Sequence, residues 1–294
     1  MERELWRRMM RALRRLPPTR PRNAVYSDRA VLAVFLWAVL HDRPVAWACE
    51  RRNWPMQAWR RELPNQSTMS RRLRTAGLFS ALGALLQNLQ LSEDHDEAVV
   101  MDGKALPLSN NTRDPDARSG RGVGGFSKGY KAHVVLGVGS LAVRAVRVCS
   151  MNEAETTQAH RMLRHTKTKL RRGCLLLGDR QFDSHRLYEA AERRGVRLVA
   201  PRRDRGAPIS SCSRHPHRVQ SVYLTELDES GFYRRELKPR RDAIERFFST
   251  LTGAGGGLTT LPPWVRRLHR VRAWVVAKLV INAARISLRR NLAA

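Results

Sequence analysis

Acidic residues are scarce in this chain. Its 294 residues carry 26 Asp and Glu against 55 Lys and Arg, a formal net charge of +29. An Arg-rich codon bias explains a preference for Arg over Lys. It does not explain the missing acids, because such genomes also use Asp and Glu freely. Cysteine is scarce too: Cys49, Cys149, Cys174 and Cys212 are the only four, and no pair forms a C-x-x-C. A disulfide framework is excluded, and a reduced, cytoplasmic setting is expected. Cys212, His215 and His217 lack a fourth ligand at standard spacing, so a zinc site is not expected and they read as a polar loop. Long hydrophobic runs are absent. The longest, "AVLAVFLWAVL" and "AWVVAKLVINAA", reach 11 and 12 residues. A membrane span needs about 20, so both read as core helices. The opening "MERELWRRMMRALRR" has no apolar core of the secretory type and reads as a short basic amphipathic helix.

What is present is positive charge on a globular background of 42% hydrophobic residues. Guanidinium groups match phosphate oxygens in pairs, and a large positive field attracts polyanions. Nucleic acid is the expected partner. Residues 27–90 read as helical, with Ser27 or Asp28 capping a helix near Arg29. A turn follows at Pro44, then a segment with Trp47, Trp54 and Trp59. In "LPNQSTMSRRLRTAG", Asn65 or Ser67 caps a helix bearing Arg71, Arg72 and Arg74, with Gly77 as its stop. That short helix reads either as a DNA-recognition helix or as a solvated packing helix.

After the acidic stretch "LSEDHDE" the period becomes strand-like. Strands are expected over 98–108, 130–138 and 141–149, the last two forming a hairpin turned at Gly137, Gly139 and Ser140. Asn152 with Glu155 suggests a capping box for a helix reaching about Arg172. "CLLLGD" is a fourth strand, Ser184 caps a helix ending at Gly195, and "VRLVAP" is a fifth strand. Residues 202–232 read as irregular. A helix from about Pro239 and a long one over 264–290 complete the chain. "SGRGVGGFSKGYK" is not a phosphate-binding P-loop. Tyr130 follows Gly129 where a Lys would be needed, and a strand follows where a helix would. It reads as a flexible, basic, DNA-facing loop. The order β β β α β α β α is that of the ribonuclease H-like fold, a mixed five-stranded sheet flanked by helices.

On that skeleton two apolar runs lead into acids: "AVVMD" delivers Asp102 within the first strand and "LLLGD" delivers Asp179 at the end of the fourth. Central neighbouring strands would bring the carboxylates together, where they repel. A divalent ion removes the repulsion, and oxygen-only ligands select Mg²⁺ or Mn²⁺. Glu245 in "RRDAIERFF" is the third candidate, with Asp242 its nearest rival. Arg241 and Arg246 bracket it and suit a DNA phosphate. The plain readings are a turn acid for Asp102, a strand end or cap for Asp179, an i,i−4 pair with Arg241 for Glu245, an inward hairpin residue for His133 and a helix start for Asp183.

Four stretches carry a resemblance: "VVMDGKAL", "GYKAHVVLG", "GDRQFDSHRLYEAAERRGVRLVAPRR" and "RDAIERFFSTL". Over roughly residues 95–290 the chain resembles DDE transposases of the bacterial IS4-type insertion-sequence group. Arg241 stands four residues before Glu245, as in that group's signature. The signature's Tyr and Lys are replaced by Lys238 and Thr252. The resemblance implies two Mg²⁺ (or Mn²⁺) ions held by Asp102, Asp179 and Glu245. It implies strand cleavage at element ends and strand transfer into target DNA, by a homodimer in the bacterial cytoplasm near the nucleoid. The alternatives are a decayed or domesticated relative that only binds DNA, and a structure-selective nuclease of the same fold. Three parts are expected: an N-terminal helical DNA-binding domain (1–92), a catalytic domain (93–260), and a C-terminal basic helix (261–294) packing on or extending the catalytic domain. Candidate DNA contacts are Arg71, Arg72, Arg74, Lys128, Lys131, Arg180, Arg241 and Arg246.

Overall fold

A computed structural model describes the chain except residues 1, 56–61, 91–95, 123–124, 166–169, 205, 207, 213–214, 254–257, 259 and 294. Trp59, most of the acidic stretch, Gly124 and the Gly-rich break near 255 therefore lie outside the described residues. The chain divides into two compact units. One comprises residues 1–91, 114–116 and 250–294, and the other residues 92–113 and 117–249.

The first unit is helical. Helix α1 (Glu2–Arg14) buries Leu5, Met9, Ala12 and Leu13, one stripe of a 3.6-residue repeat. Helix α2 (Asp28–Leu40) begins at Ser27, whose side chain accepts from the Ala30 amide. Nearly every α2 side chain is buried, as expected for a helix apolar on all sides. Helix α3 (Val45–Ala48) follows Pro44. Helix α4 (Gln66–Arg72) is capped by Asn65. Gly77 does not stop it. Thr75 caps the next helix, α5 (Ala76–Leu89), and Gly77 sits in its first turn. The indole rings of Trp6, Trp37 and Trp54 pack together, with centroids 4.9 to 5.8 Å apart. The long C-terminal helix, expected on the catalytic domain, clusters with the N-terminal helices. It belongs to this helical unit and lies against α1, α2 and α5. Its run from Ala273 to Ala284 is buried throughout, so the apolar core of that helix outweighs its basic ends. Among the described residues no helix is long and apolar enough to cross a membrane.

The second unit holds a mixed sheet of six strands, not five. They are β1 (Ala98–Pro107), β2 (Arg118–Gly122), β3 (Gly125–Gly137), β4 (Val143–Ser150), β5 (Leu175–Leu177) and β6 (Arg197–Val199). The order is β2-β3-β1-β5-β6, and β4 also pairs with β3. β1 runs antiparallel to β3 and parallel to β5, and β5 runs parallel to β6. The extra strand is β2. The stretch expected to be a flexible loop is instead a hairpin, in which β2 pairs with the first residues of β3. Asp96 is buried and anchors the β3–β4 turn, accepting from the amides of Gly139 and Ser140 and from Arg144.

Helix α6 (Glu155–Arg164) is shorter than expected, and its cap is Ala154, so no capping box forms at Asn152. Helix α7 (His185–Arg193) starts after Ser184. Ala159, Met162 and Leu163 of α6, with Leu187, Tyr188, Ala190 and Ala191 of α7, close a core with Val99, Met101, Val135 and Leu176 of the sheet. Residues 202–232 are not simply irregular: they include α8 (Pro216–Val222), followed by a π-helical turn at Tyr223–Leu227. Helices α9 (Lys238–Arg241) and α10 (Ala243–Gly253) lead to the long helix already described, α11 (Leu268–Ala293). Asp114 and Asp116, in the helical unit, accept from the amides of Arg267 and Leu268 and so cap α11.

Candidate active site

The parallel pairing of β1 with β5 matches Ala98 to Leu175, Val99 to Leu176 and Val100 to Leu177. Two residues further along, the same register sets Asp102 beside Asp179. The apolar runs are buried because they lie at the sheet centre; Asp102 follows its run within β1, and Asp179 lies two residues past the carboxyl end of β5. Open α/β sheets place their sites at that end.

Neither carboxylate is well neutralised. Asp102 accepts the Gly103 amide at 2.7 Å. Burial pushes its carboxyl up to about 6, the Gly103 amide works against this, and the charges of Asp179 and Glu155 add to the rise. Asp179 accepts the Gln181 amide at 2.8 Å and caps a turn over Arg180–Phe182, so the plain capping role is also present. Burial raises its pKa as well, the Gln181 amide lowers it, Glu155 raises it, and Arg241 and Arg180 lower it. Two crowded, desolvated carboxylates of this type fit a hard divalent cation, which would remove both penalties.

Glu155 is the acid that sequence reasoning missed as part of this site. It opens α6, and its side chain pairs with Lys131 Nζ at 2.7 Å. The assumed capping box hid it. An acid at the first helix after three strands was the available signal. Lys131, expected to face DNA, is buried in that pair and is not on a DNA-facing surface. Gly103 makes room for it: a side chain there would lie 3.2 Å from both Lys131 Cδ and His133 Nδ1. His133 is buried, as its hairpin position suggested, and burial pushes its imidazole down to about 3.

Glu245 stands apart from the aspartates. It is exposed on α10, and its Oε1 accepts from Arg241 at 2.7 Å, the plain i,i−4 reading. Among the described residues no group of three His, Cys, Asp or Glu side chains forms a metal-ready cluster. His215 and His217 both face Glu192. The segment around Glu245 touches β1. α9 packs on β1, and Lys104, two residues past Asp102 on the same strand face, lies over the Phe248 ring at 5.7 Å. Glu245 falls between Arg241, whose charge reaches both aspartates, and Phe248. Asp242 pairs only loosely with Arg241, at 3.7 Å.

The remaining basic candidates separate by exposure. Arg71, Arg74, Arg180 and Arg246 are exposed, while Arg241 and Lys128 are half-buried. Lys128 donates to the Thr112 carbonyl at 2.9 Å. Arg72 is not available to DNA. It is buried, pairs with Asp28 and donates to the Tyr26 carbonyl. Asp183 is not a helix start. It is buried and binds Arg218 through both oxygens.

No curated protein shows a significant sequence match to the chain. Residues 93–281, more than half of its length, match the family described as Transposase DDE domain. The matched span contains Asp102 within β1, Asp179 just past the paired strand β5 and Glu245 on α10, and the chain therefore belongs to the family of transposases with a DDE domain.

Proposed function

We propose that the chain cuts DNA at the ends of an IS4-type insertion sequence and joins the freed ends to target DNA, using a ribonuclease H-like core. The observation that carries this is the register of β1 and β5, which, carried two residues past Val100 and Leu177, brings Asp102 and Asp179 to the same level inside a span matched by the transposase family. The strand order β4-β3-β1-β5-β6, with the first three antiparallel and the last three parallel, supports the core assignment.

Asp102, Asp179 and Glu245 would hold two Mg²⁺ or Mn²⁺ ions. When bound, such ions supply an activated oxygen nucleophile and charge stabilisation for the leaving 3′-oxygen. The chain's own part is positioning. Arg180 and Arg246 are exposed beside Asp179 and Glu245 and suit phosphate oxygens. Arg241 now holds Glu245. On DNA binding it exchanges that carboxylate for a phosphate, which frees Glu245 to turn toward the aspartates. The Lys131–Glu155 pair closes the far side of the strand end and keeps the Glu155 carboxylate occupied. Joining two ends requires two active sites, so the working form is a homodimer or larger, acting on DNA in the cytoplasm.

The test uses DNA flanking the coding region. Asp102→Ala, Asp179→Ala and Glu245→Ala are each expected to lose Mg²⁺-dependent nicking and keep DNA binding in a gel assay. Undiminished nicking by any of the three removes that residue from the site. Undiminished nicking by both aspartate variants ends the reading.

A further inference from the structure

Residues 117–131 contain Arg118, Arg121, Lys128 and Lys131 and no acid. In the β2–β3 hairpin Arg121 lies opposite Phe126 and Ser119 opposite Lys128. Residues facing each other across a ribbon share a side. Arg121, Phe126 and Lys128 therefore project from one surface, and Gly120, Gly122, Ser127 and Gly129 from the other.

The glycine surface is the inner one. A side chain at Gly120 would strike the Met151 backbone, and one at Gly129 would strike the Leu106 carbonyl. One at Gly122 would lie 3.5 Å from Ala105 Cβ. Ala105 pairs with Lys131, six residues from the start of β3. A straight ribbon would carry its tip about 20 Å past that point. The approach of Gly122 to Ala105 means that the ribbon bends back onto β1, three residues beyond Asp102.

The outer surface then presents Phe126, 82% exposed, beside the exposed Arg121. Single exposed apolar side chains are ordinary. This one differs in its company. It tips a ribbon held down at its glycines, beside the exposed cation Arg121, next to a strand that carries a candidate catalytic acid. The charges select a polyanion, and the ring suits the apolar faces of its bases.

We propose that this hairpin is a DNA wedge: Phe126 inserts at a base step of the bound duplex and unstacks it, while Arg121, on the same face, grips a flanking phosphate. The proposal rests on the transposase reading, since it places the wedge beside the strand that would be cut.

The full-length protein is titrated, in EDTA, against duplexes from the DNA flanking the coding region. Each duplex carries 2-aminopurine at a different adenine. At saturating protein the wild type is expected to raise the fluorescence about threefold or more at one or two adjacent positions. Phe126→Ala is expected to lose that rise while still saturating the DNA, and Phe126→Trp to keep it. Arg121→Ala is expected to lower the salt slope of binding by about one. A rise that persists in Phe126→Ala overturns the proposal, as does saturation of wild-type protein with no rise at any position. The assay involves no cleavage, so it reads the wedge apart from the strand-cutting chemistry. Signal without nicking sinks the cleavage reading and spares the wedge; nicking without signal does the reverse.

Discussion

Asp28 and Asp102 are both acids drawn into the protein, one in the helical unit and one in the sheet unit, and they are treated in opposite ways. Asp28 accepts from Thr19 Oγ1 at 2.7 Å and is paired with the buried Arg72. Lys278, equally deep in the helical unit, donates to the Val39 carbonyl at 3.0 Å and is paired with Asp42. Both of these buried charges have a counter-charge, as a unit built for packing requires. Asp102 has a backbone amide for a partner and two acids for neighbours. The pairing in the helical unit supports the fold. The crowding in the sheet unit opposes it, and such opposition is what a functional site leaves behind.

The largest effect should come from breaking the satisfied pair. Arg72→Ala strands Asp28 without its counter-charge and is expected to cost about 3–5 kcal/mol, read as a lowered denaturation midpoint. The neighbouring exposed Arg71→Ala should stay within about 0.5 kcal/mol. Equal effects from the two would show that the pair in the helical unit is not what distinguishes it.

Asp102→Asn is expected to act in the opposite direction. The folded carboxyl titrates near 6 and the unfolded one near 3.8. Folding therefore favours the protonated form, and stability falls as pH rises from about 4 to 6 and then levels. The Asn variant escapes this loss. It should be more stable than wild type at pH 8 by about 1–3 kcal/mol, with the gap closing below pH 4. A variant less stable than wild type at pH 8 would remove the contrast with Asp28.

His133 gives a smaller, separable effect in acid. Its pKa falls from 6.5 to about 3 on folding, chiefly through burial. Its contribution is complete above about pH 6.5 and drains away as pH falls toward 3. Acid unfolding of wild type should begin in that window, and His133→Gln should flatten its slope by up to about one proton. An unchanged slope would place the acid sensitivity elsewhere.

Much of the sheet unit was legible because its signals are local. "CLLLGD" and "AVVMD" are apolar runs ending in acids, and they became β5 and β1 near the expected bounds. The Ser27 and Asn65 caps were legible for the same reason. β2 was not, because "RSGRG" has no strand propensity and is held by pairing with β3 and by glycine contacts. Glu155 was misread as a cap because its partner, Lys131, is 24 residues away. Arg72 was misread as a DNA contact because Asp28 is 44 residues away. No local pattern announces a distant counter-charge.

The sequence alone determined the two apolar runs that lead into acids, the basic character and the family resemblance, all of which depend on residue type and short-range spacing. Only the tertiary structure decided which cations are spent inside the fold, that α11 belongs with the N-terminal helices, and that Glu245 rests on Arg241. Those outcomes depend on which side chains meet across long loops, and burial and charge pairing settle that only when the chain has folded.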